Sequence, residues 1–203
     1  MGLMTHVVIG YPNIKDTRSL IKMMAEEGVD FIELQIPFLF MTYMNIPFTY
    51  GLEKFCKNAE QVGVNGLIIP DYNLELEKID QFDKLAKKYN QILIRFISLE
   101  SNSVRMKSIS DKAEGFIYCF STQGITGVRA KFNEYLTKHL KKVRRYFPLP
   151  LAVGFGISTA EHVYSLKGSA DIIIVGSAMI KAFEEGGLQK ARIKTRELVA
   201  ACK

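Results

Sequence analysis

Short apolar runs alternate with amphipathic stretches along almost the whole chain. The runs are continuous enough to be strands buried on both faces of a parallel sheet, and the stretches between them carry apolar residues at helical spacing. Eight parallel strands, each followed by a helix, predict an α/β protein of the (β/α)8 TIM-barrel class, incomplete after the second strand. The predicted strands begin at His6, Phe31, Phe40, Gly66, Ile92, Phe116, Leu151 and Ile172.

Capping signals and periodicity place several helices between these strands. Asp16 is the expected N-cap of the first helix. An unbroken amphipathic pattern predicts a single helix over residues 73–90, and Ser101 or Ser103 is expected to open the helix after the fifth strand. The chain is expected to end in a further helix over residues 188–202.

One crossover is missing between the second and third predicted strands. The second strand, in the apolar residues 31–38, runs directly into the third, which is expected to extend over the apolar residues 39–48, and Pro37 supplies no loop between them. Parallel neighbours need a crossover of about a dozen or more residues. The 203 residues of the chain also fall short of the roughly 250 that are typical of such barrels. We therefore expect one domain over residues 1–203, with a gap or a deletion between positions 38 and 39.

Three explanations of this junction are open. The sequence omits residues that the protein contains, the segment has been deleted, or the protein is a relative that has evolved away from catalysis. A one-residue joint cannot connect parallel neighbours, which favours an omission or a recent deletion. Phe38 and Leu39 are then expected to lie far apart or to belong to a rearranged barrel.

The composition is that of a globular protein without a membrane span. Hydrophobic residues make up 48% of the chain and charged residues 24%, which is enough for a sizeable core. No apolar run reaches about 18 residues and the N-terminus has no signal-peptide pattern, so we expect a cytoplasmic protein. Cys56, Cys119 and Cys202 are far apart and odd in number, which favours free thiols.

The net charge of +6 suggests an anionic partner. Basic residues cluster in residues 138–145 and 190–197, both at helical spacing, which is typical of solvated helix faces. No aromatic residues interleave with them to stack on bases. The pattern therefore argues against nucleic acid and leaves an anionic small molecule.

Glycines at the ends of the last two predicted strands indicate phosphate binding. Gly154 and Gly156 end the seventh strand, and Gly176 with Ser177 ends the eighth and opens a helix. Glycine lets backbone N–H groups approach an anion, and a helix N-terminus adds the positive end of its dipole. One such turn is also typical of ordinary structure, but barrels often bind phosphate after strands seven and eight. The pair of turns therefore favours a phosphorylated small-molecule substrate.

A third glycine cluster follows the sixth predicted strand, at residues 121–127. Its composition is typical of a loop that closes over a substrate. An ordinary flexible connection between a strand and a helix has the same composition, so both interpretations stay open.

Two side chains inside predicted strands are candidates for chemistry. Glu33 lies among apolar residues, where a carboxyl group has a raised pKa unless it is paired, and this suits a general acid or base. Tyr118 could place a hydroxyl in the same cavity. The alternatives are a structural acid for the first and a packed tyrosine for the second. Asp71 and Asn45 lie at strand ends, and a helix cap or a loop residue is an equal alternative for each. No catalytic role is assigned to the histidines His6, His139 and His162.

These motifs, in order and over nearly the whole chain, resemble the α subunit of tryptophan synthase. The resemblance is carried by VVIGYPN, VDFIELQIPF, MTYMNIPFTYGLEKFCKNAEQVGVNGLIIPD, GFIYCFSTQGITG, LAVGFGIST and ADIIIVGSAMIKAF. It implies a (β/α)8 lyase of tryptophan biosynthesis that cleaves indole-3-glycerol phosphate to indole and glyceraldehyde 3-phosphate. It also implies an α2β2-type complex, in which the β subunit binds pyridoxal phosphate and receives indole through a tunnel. No metal or cofactor is implied for this chain.

The resemblance also implies roles for individual residues. Glu33 matches the glutamate that moves a proton at the indole ring, and Tyr118 matches the tyrosine near it. Asn45 and Phe48 fall in the segment that contacts the β subunit. The residues implied to bind the substrate and its phosphate are Gly124, Thr126, Gly127, Gly154, Phe155, Gly156, Gly176 and Ser177.

The chain departs from the family pattern directly after the second strand. The family's SDPxADGP loop and the helix after it are absent, and with them the aspartate that takes the proton from the indole nitrogen. Gln35, Thr122 and Tyr11 also replace a glycine, an arginine and an aspartate that are usual in the family. Loss of one positioned acid or base typically costs about 10²–10⁴-fold in rate, so the chain is expected to be nearly inactive as it stands.

Two other functions are compatible with the sequence. The missing aspartate fits a non-catalytic subunit that binds and activates a β subunit. The glycine turns alone would fit another phosphate-binding barrel enzyme, because that feature serves many chemistries.

Overall fold

A computed structural model of the protein describes residues 4–8, 14–29, 31–35, 37–120, 129–154 and 156–203. The chain forms two compact units, residues 1–72 with 76–92 and residues 73–75 with 93–203. The strands are β1 (Met4–Val8), β2 (Phe31–Gln35), β3 (Leu39–Met41), β4 (Gly66–Ile68), β5 (Ile92–Ile97), β6 (Ile117–Phe120), β7 (Leu151–Gly154) and β8 (Ile172–Ile173). The helices are α1 (Ile14–Glu26), α2 (Asn45–Tyr50), α3 (Leu52–Gln61), α4 (Leu74–Asp80), α5 (Phe82–Lys88), α6 (Ser103–Ser110), α7 (Arg129–Val143), α8 (Ala160–Ser165) and α9 (Ser177–Cys202).

The first unit contains two pairs of parallel strands. In the pair β1 and β2, His6 lies opposite Glu33. In the pair β3 and β4, Phe40 lies opposite Leu67. β2 and β3 belong to different sheets, although only three residues separate them along the chain. This separation agrees with the expectation that so short a joint cannot connect parallel neighbours.

Asn65 fixes the start of β3 immediately after the short joint. Its side-chain oxygen accepts the Phe38 N–H at 2.9 Å, and its own N–H donates to the Phe38 carbonyl at 2.8 Å. The Asn65 carbonyl accepts the N–H of Ile92, the first residue of β5, at 3.0 Å. The ring of Phe38 also packs edge to face on that of Phe40, with centroids 5.3 Å apart. One asparagine thus supplies both backbone groups of Phe38 with partners.

The second unit contains β5, β6, β7 and β8, paired in parallel in that order. The register places Phe96, Tyr118 and Ala152 opposite one another, and Ile97 and Cys119 one residue further on. Successive side chains of a strand point to opposite faces. The sheet therefore has one face that carries Phe96 and Tyr118 and another that carries Ile97 and Cys119.

The hydrophobic core of the second unit lies on the face that carries Ile97. Strand residues on this face pack against the apolar sides of α6, α7, α8 and the C-terminal part of α9. Burying such side chains contributes about 1.5–3 kcal/mol each, which makes this layer the main source of stability of the unit. Its strand members are Ile97, Ile117, Cys119, Leu151 and Val153, and its helix members include Met106, Ile109, Leu136, Leu140, Val143, Val163, Leu198 and Ala201.

All eight predicted strands are present, and each begins within two residues of its predicted start. The predicted length of β3 was wrong. The strand ends at Met41, and residues expected to continue it to Phe48 form α2, which begins at Asn45.

Several predicted helix boundaries also need correction. Asp16 lies inside α1, which begins at Ile14, so it is not the N-cap. The predicted single helix over residues 73–90 is two helices, because Gln81 adopts a left-handed conformation with φ 53°. Asp80 stabilises this break by accepting hydrogen bonds from the Tyr72 hydroxyl and the Phe82 N–H.

Two further boundaries agree with the sequence. Of the two serines considered, Ser103 begins α6, and the side chain of Asn102 caps it by accepting the Arg105 N–H at 2.9 Å. Helix α9 is broken by the non-helical backbone of Gly186 and Gly187, which confirms a separate final helix after the eighth strand.

The surface agrees with the interpretation of charge. The lysines and arginines of residues 138–145 are exposed on and just after α7, so this cluster is a solvated helix face.

Cys56, Cys119 and Cys202 are free thiols, and burial raises the pKa of the first two to about 12. Over the described residues, no helix has the length and apolar character needed to cross a bilayer.

Candidate active site

The ends of β6 and β7 bring together two of the predicted site residues, Tyr118 and Gly154. In the register of the two strands Phe120 lies opposite Gly154. Tyr118 lies two residues before Phe120, on the same face of the sheet. A Cβ atom placed on Gly154 would lie 2.3 Å from the Tyr118 hydroxyl oxygen and 2.8 Å from two of its ring carbons. The tyrosine hydroxyl therefore lies directly against the Gly154 backbone, and only glycine leaves room for it.

Tyr118 is held as a neutral phenol. Only 3% of the residue is exposed, and burial raises the pKa of its hydroxyl. At neutral pH the group therefore acts as a hydrogen-bond donor or acceptor and carries no charge. Both the packing role and the chemical role considered for this tyrosine are compatible with its position.

The sequence did not indicate that Phe96 and Phe120 line the same face as Tyr118. The Phe96 ring stacks on Tyr118 with centroids 4.9 Å apart and on Phe120 with centroids 5.1 Å apart. Such stacked aromatic pairs contribute about 0.5–1.5 kcal/mol beyond their buried area. The alternation of side chains along β5 and β6 was the available signal, because it places all three rings on one face once the strands are paired.

The glycines assigned to phosphate binding differ in their local geometry. Gly156 has φ +82°, a left-handed conformation that favours glycine, and it is exposed just after β7. Gly176 is the N-cap of α9, and a Cβ there would meet no atom within 4 Å. Ser177, the first residue of α9, is exposed. The first N–H groups of a helix have no carbonyl of their own helix to bond, so this end of α9 can accept an anion.

Other predicted residues lie partly or wholly outside the part of the chain that the structure describes. Glu33 lies in β2, opposite His6 of β1, and only its backbone position is described. The predicted substrate residues outside the described ranges are Gly124, Thr126, Gly127 and Phe155. Among the residues whose side chains are described, no group of three His, Cys, Asp or Glu residues could bind a metal ion.

The predicted partner residues lie on α2, whose start is held by Asp71. The Met44 N–H donates to both carboxylate oxygens of Asp71, at 2.9 and 3.1 Å. Asp71 therefore bonds the backbone just before α2 from a position 27 residues later in the chain, and it is not the side-chain cap of that helix. Asn45 is exposed, Phe48 is 70% exposed and Ile46 is 52% exposed. Helix α2 therefore presents large apolar side chains to the surface, as do other elements such as α6, where Val104 is 75% exposed.

We predict that Gly154→Ala destabilises the protein by about 1–3 kcal/mol, because the new methyl group overlaps the Tyr118 hydroxyl. In a Tyr118→Leu background the shorter side chain leaves room, and the cost should fall below about 1 kcal/mol. Urea unfolding of the four proteins measures both values. Gly176→Ala, where the methyl group meets open space, is the control. It should lower the free energy of unfolding by less than Gly154→Ala does in either background. Equal costs of Gly154→Ala in both backgrounds would contradict the proposed contact.

Comparison with known proteins identifies the family. A family model described as tryptophan synthase alpha chain matches residues 33–203. The tryptophan synthase alpha chain of Syntrophotalea carbinolica is 34% identical over 238 aligned positions, which cover 97% of this chain and 93% of that protein. These 238 positions exceed the 203 residues of the chain by 35, so the relative carries residues that this chain lacks.

Solved structures show the same fold. The tryptophan synthase alpha subunit of Campylobacter jejuni is 27% identical, with a TM-score of 0.71 over 97% of this chain and 95% of that one. A chain from the tryptophan synthase α2β2 complex of Pyrococcus furiosus is 25% identical, with a TM-score of 0.70 over 98% of both chains. The predicted α/β, (β/α)8 TIM-barrel class is thereby confirmed, in an incomplete form. The chain belongs to the tryptophan synthase alpha chain family, whose members serve tryptophan biosynthesis.

Proposed function

We propose that this chain cleaves indole-3-glycerol phosphate to indole and glyceraldehyde 3-phosphate, as the alpha subunit of a tryptophan synthase. Family membership is the observation that carries the proposal. The arrangement at the ends of β6 and β7 supports it, because a buried neutral tyrosine meets a glycine there without leaving space for another residue. The biosynthetic role supports a cytoplasmic location.

Glu33 is the proposed proton mover at the indole ring. Cleavage requires a proton on the indole carbon that carries the side chain and loss of the proton of the adjacent side-chain hydroxyl, whose oxygen becomes the aldehyde oxygen. A proton that leaves the indole nitrogen when the ring carbon is protonated returns to it when the carbon–carbon bond breaks and the bonding pair enters the ring. A carboxyl group with a raised pKa can deliver the first proton at neutral pH. Tyr118, as a neutral phenol, orients the substrate by a hydrogen bond.

The phosphate of the substrate is proposed to bind at the start of α9 and in the loop after β7. Gly156 and Gly176 allow close approach of backbone N–H groups, and the exposed first turn of α9 supplies the positive end of the helix dipole. The aldehyde product then leaves the indole while its phosphate remains bound. Gly124, Thr126, Gly127 and Phe155 are proposed to complete this pocket by analogy with the family.

The expected rate of this chain is low. No residue matches the aspartate that accepts the nitrogen proton in the family, and the loss of one such group costs about 10²–10⁴-fold. The proposal is therefore a slow lyase, and a chain without any turnover would favour the alternative of a β-activating subunit.

The proposed partner is a tryptophan synthase β subunit that carries pyridoxal phosphate, while this chain needs no cofactor. The similar chain of Pyrococcus furiosus comes from an α2β2 complex described as mutually activating. Phe48 and Ile46 expose apolar side chains on α2, where such surface typically marks a protein interface. This is the segment in which Asn45 and Phe48 are expected to contact the partner.

We predict that Glu33→Gln lowers indole release by at least about 10²-fold, because it removes a positioned acid. Indole is separated by chromatography from the substrate, which carries the same ring, and is then measured by its fluorescence. Glu26→Gln changes an exposed acid of α1, paired only with Lys22 at 3.6 Å among the contacts described, and is the matched control. Equal rates for both variants would contradict the role of Glu33.

We predict that Ser177→Asp raises KM by about tenfold or more, because the new carboxylate repels the substrate phosphate. An acid in the first turn stabilises a helix, so the unfolding free energy should not fall. Ser103→Asp makes the same change at the first residue of α6 and should leave KM unchanged. Steady-state kinetics with urea unfolding separates a binding effect from a folding effect. An unchanged KM for Ser177→Asp would place the phosphate elsewhere.

We predict that Phe48→Ser weakens binding of the β subunit by about tenfold or more, because a large exposed apolar side chain at an interface carries a large share of its affinity. Isothermal titration calorimetry with a purified β subunit measures the change. Val104→Ser removes an equally exposed apolar side chain from α6 and serves as the control. Similar affinity of both variants would exclude α2 from the interface.

A further inference from the structure

Phe96 lies between the two other aromatic rings of its sheet face. Its ring is nearly parallel to Tyr118, at an interplanar angle of 27°, and to Phe120, at 20°. Tyr118 and Phe120 are further from each other, with centroids 6.0 Å apart and planes inclined by 42°. Phe96 is therefore the ring that contacts both neighbours in a stacked geometry.

Strand register explains why Phe96 occupies this position. Phe96 of β5 lies opposite Tyr118 of β6, and Phe120 comes two residues later on the same face. Neighbouring parallel strands lie about 4.8 Å apart, which matches the distance between the two stacked centroids. The stack is thus a direct product of parallel pairing.

Tyr118 is enclosed from two neighbouring strands. On the side of β7, the Gly154 backbone lies against its hydroxyl and the adjacent ring carbons. On the side of β5, the face of Phe96 covers the ring. A smaller side chain at position 96 would allow the tyrosine to tilt away from Gly154, because the other boundary is fixed backbone.

We propose that Phe96 is a positioning residue, which holds the Tyr118 hydroxyl and the Phe120 ring in the arrangement that receives the indole ring of the substrate. The inference deepens the proposed lyase function and rests on it for the identity of the substrate. Phe120, at the carboxyl end of β6 and only partly buried, presents the aromatic surface of the stack where such barrels bind their substrates. Phe96 acts through these two residues and needs no contact with the reacting atoms.

Kinetics of Phe96→Leu provide the first part of the test. Loss of the stack should lower kcat for indole release by about tenfold. KM should change less than about twofold, because the phosphate site is untouched. Phe96→Tyr keeps a ring and should restore at least half of the activity. Ile97→Val is the control, because it removes a methyl group from the opposite face of β5 with a similar cost in stability.

Near-ultraviolet circular dichroism provides a second part that needs no activity. The chain has no tryptophan, so tyrosine and phenylalanine alone give this signal. Phe96→Leu should remove the same tyrosine band that Tyr118→Phe removes, whereas Ile97→Val should retain it.

The two parts distinguish failure of this inference from failure of the proposed function. If the Phe96→Leu spectrum and kinetics match those of Ile97→Val, Phe96 does not position Tyr118. If the spectrum changes as expected but the wild-type protein with its β subunit releases no indole, the positioning role is upheld and the lyase function is overturned.

Discussion

The length of the joint between β2 and β3 is the constraint on which the first unit depends. Three residues can span only about 11 Å, and they cannot carry a chain from the end of one strand back to the start of a parallel neighbour. β2 therefore pairs with β1, and β3 pairs with β4. The segment missing at this joint is also where the resemblance to the family implies a second proton-moving carboxylate. One covalent limit thus explains why β2 and β3 lie in different sheets.

Strand positions were predictable from sequence because buried parallel strands are continuous apolar runs with sharp ends. The structure of the segment after Met41 was not predictable from sequence, because its apolar residues suit a strand and a helix equally by composition. Only the burial of Met44 and Pro47, three residues apart, reveals the helical period. The break at Gln81 was equally hidden, because the hydrogen bonds of Asp80 with Tyr72 and Phe82 stabilise it and no glycine or proline marks it.

The sequence supplied candidate site residues but not their arrangement, and their roles stay predictions. Resemblance to the family selected Tyr118 and Gly154 separately, one for chemistry and one for phosphate. The structure places the two residues in contact, and it shows that position 154 must be glycine because a larger side chain would overlap Tyr118. Phe96 carries no motif, and its importance appears only when strand register sets it against Tyr118. Pairing between strands distant in sequence is information that single-residue patterns cannot supply. Glu33, assigned from its strand and the family, stays a prediction.

The separation of β2 from β3 leaves β3 as the terminal strand of its sheet. An open edge exposes N–H and C=O groups that can pair with a strand of another molecule, which closed barrels avoid. β3 is only three residues long, with Pro37 just before it, and Asn65 occupies both backbone groups of Phe38. The hydrogen bonds of Asn65 lie on the side of β4, so shortness and the neighbouring proline are the features that limit pairing at the open edge. A three-residue edge strand thus offers a second molecule far less backbone than an edge strand of ordinary length.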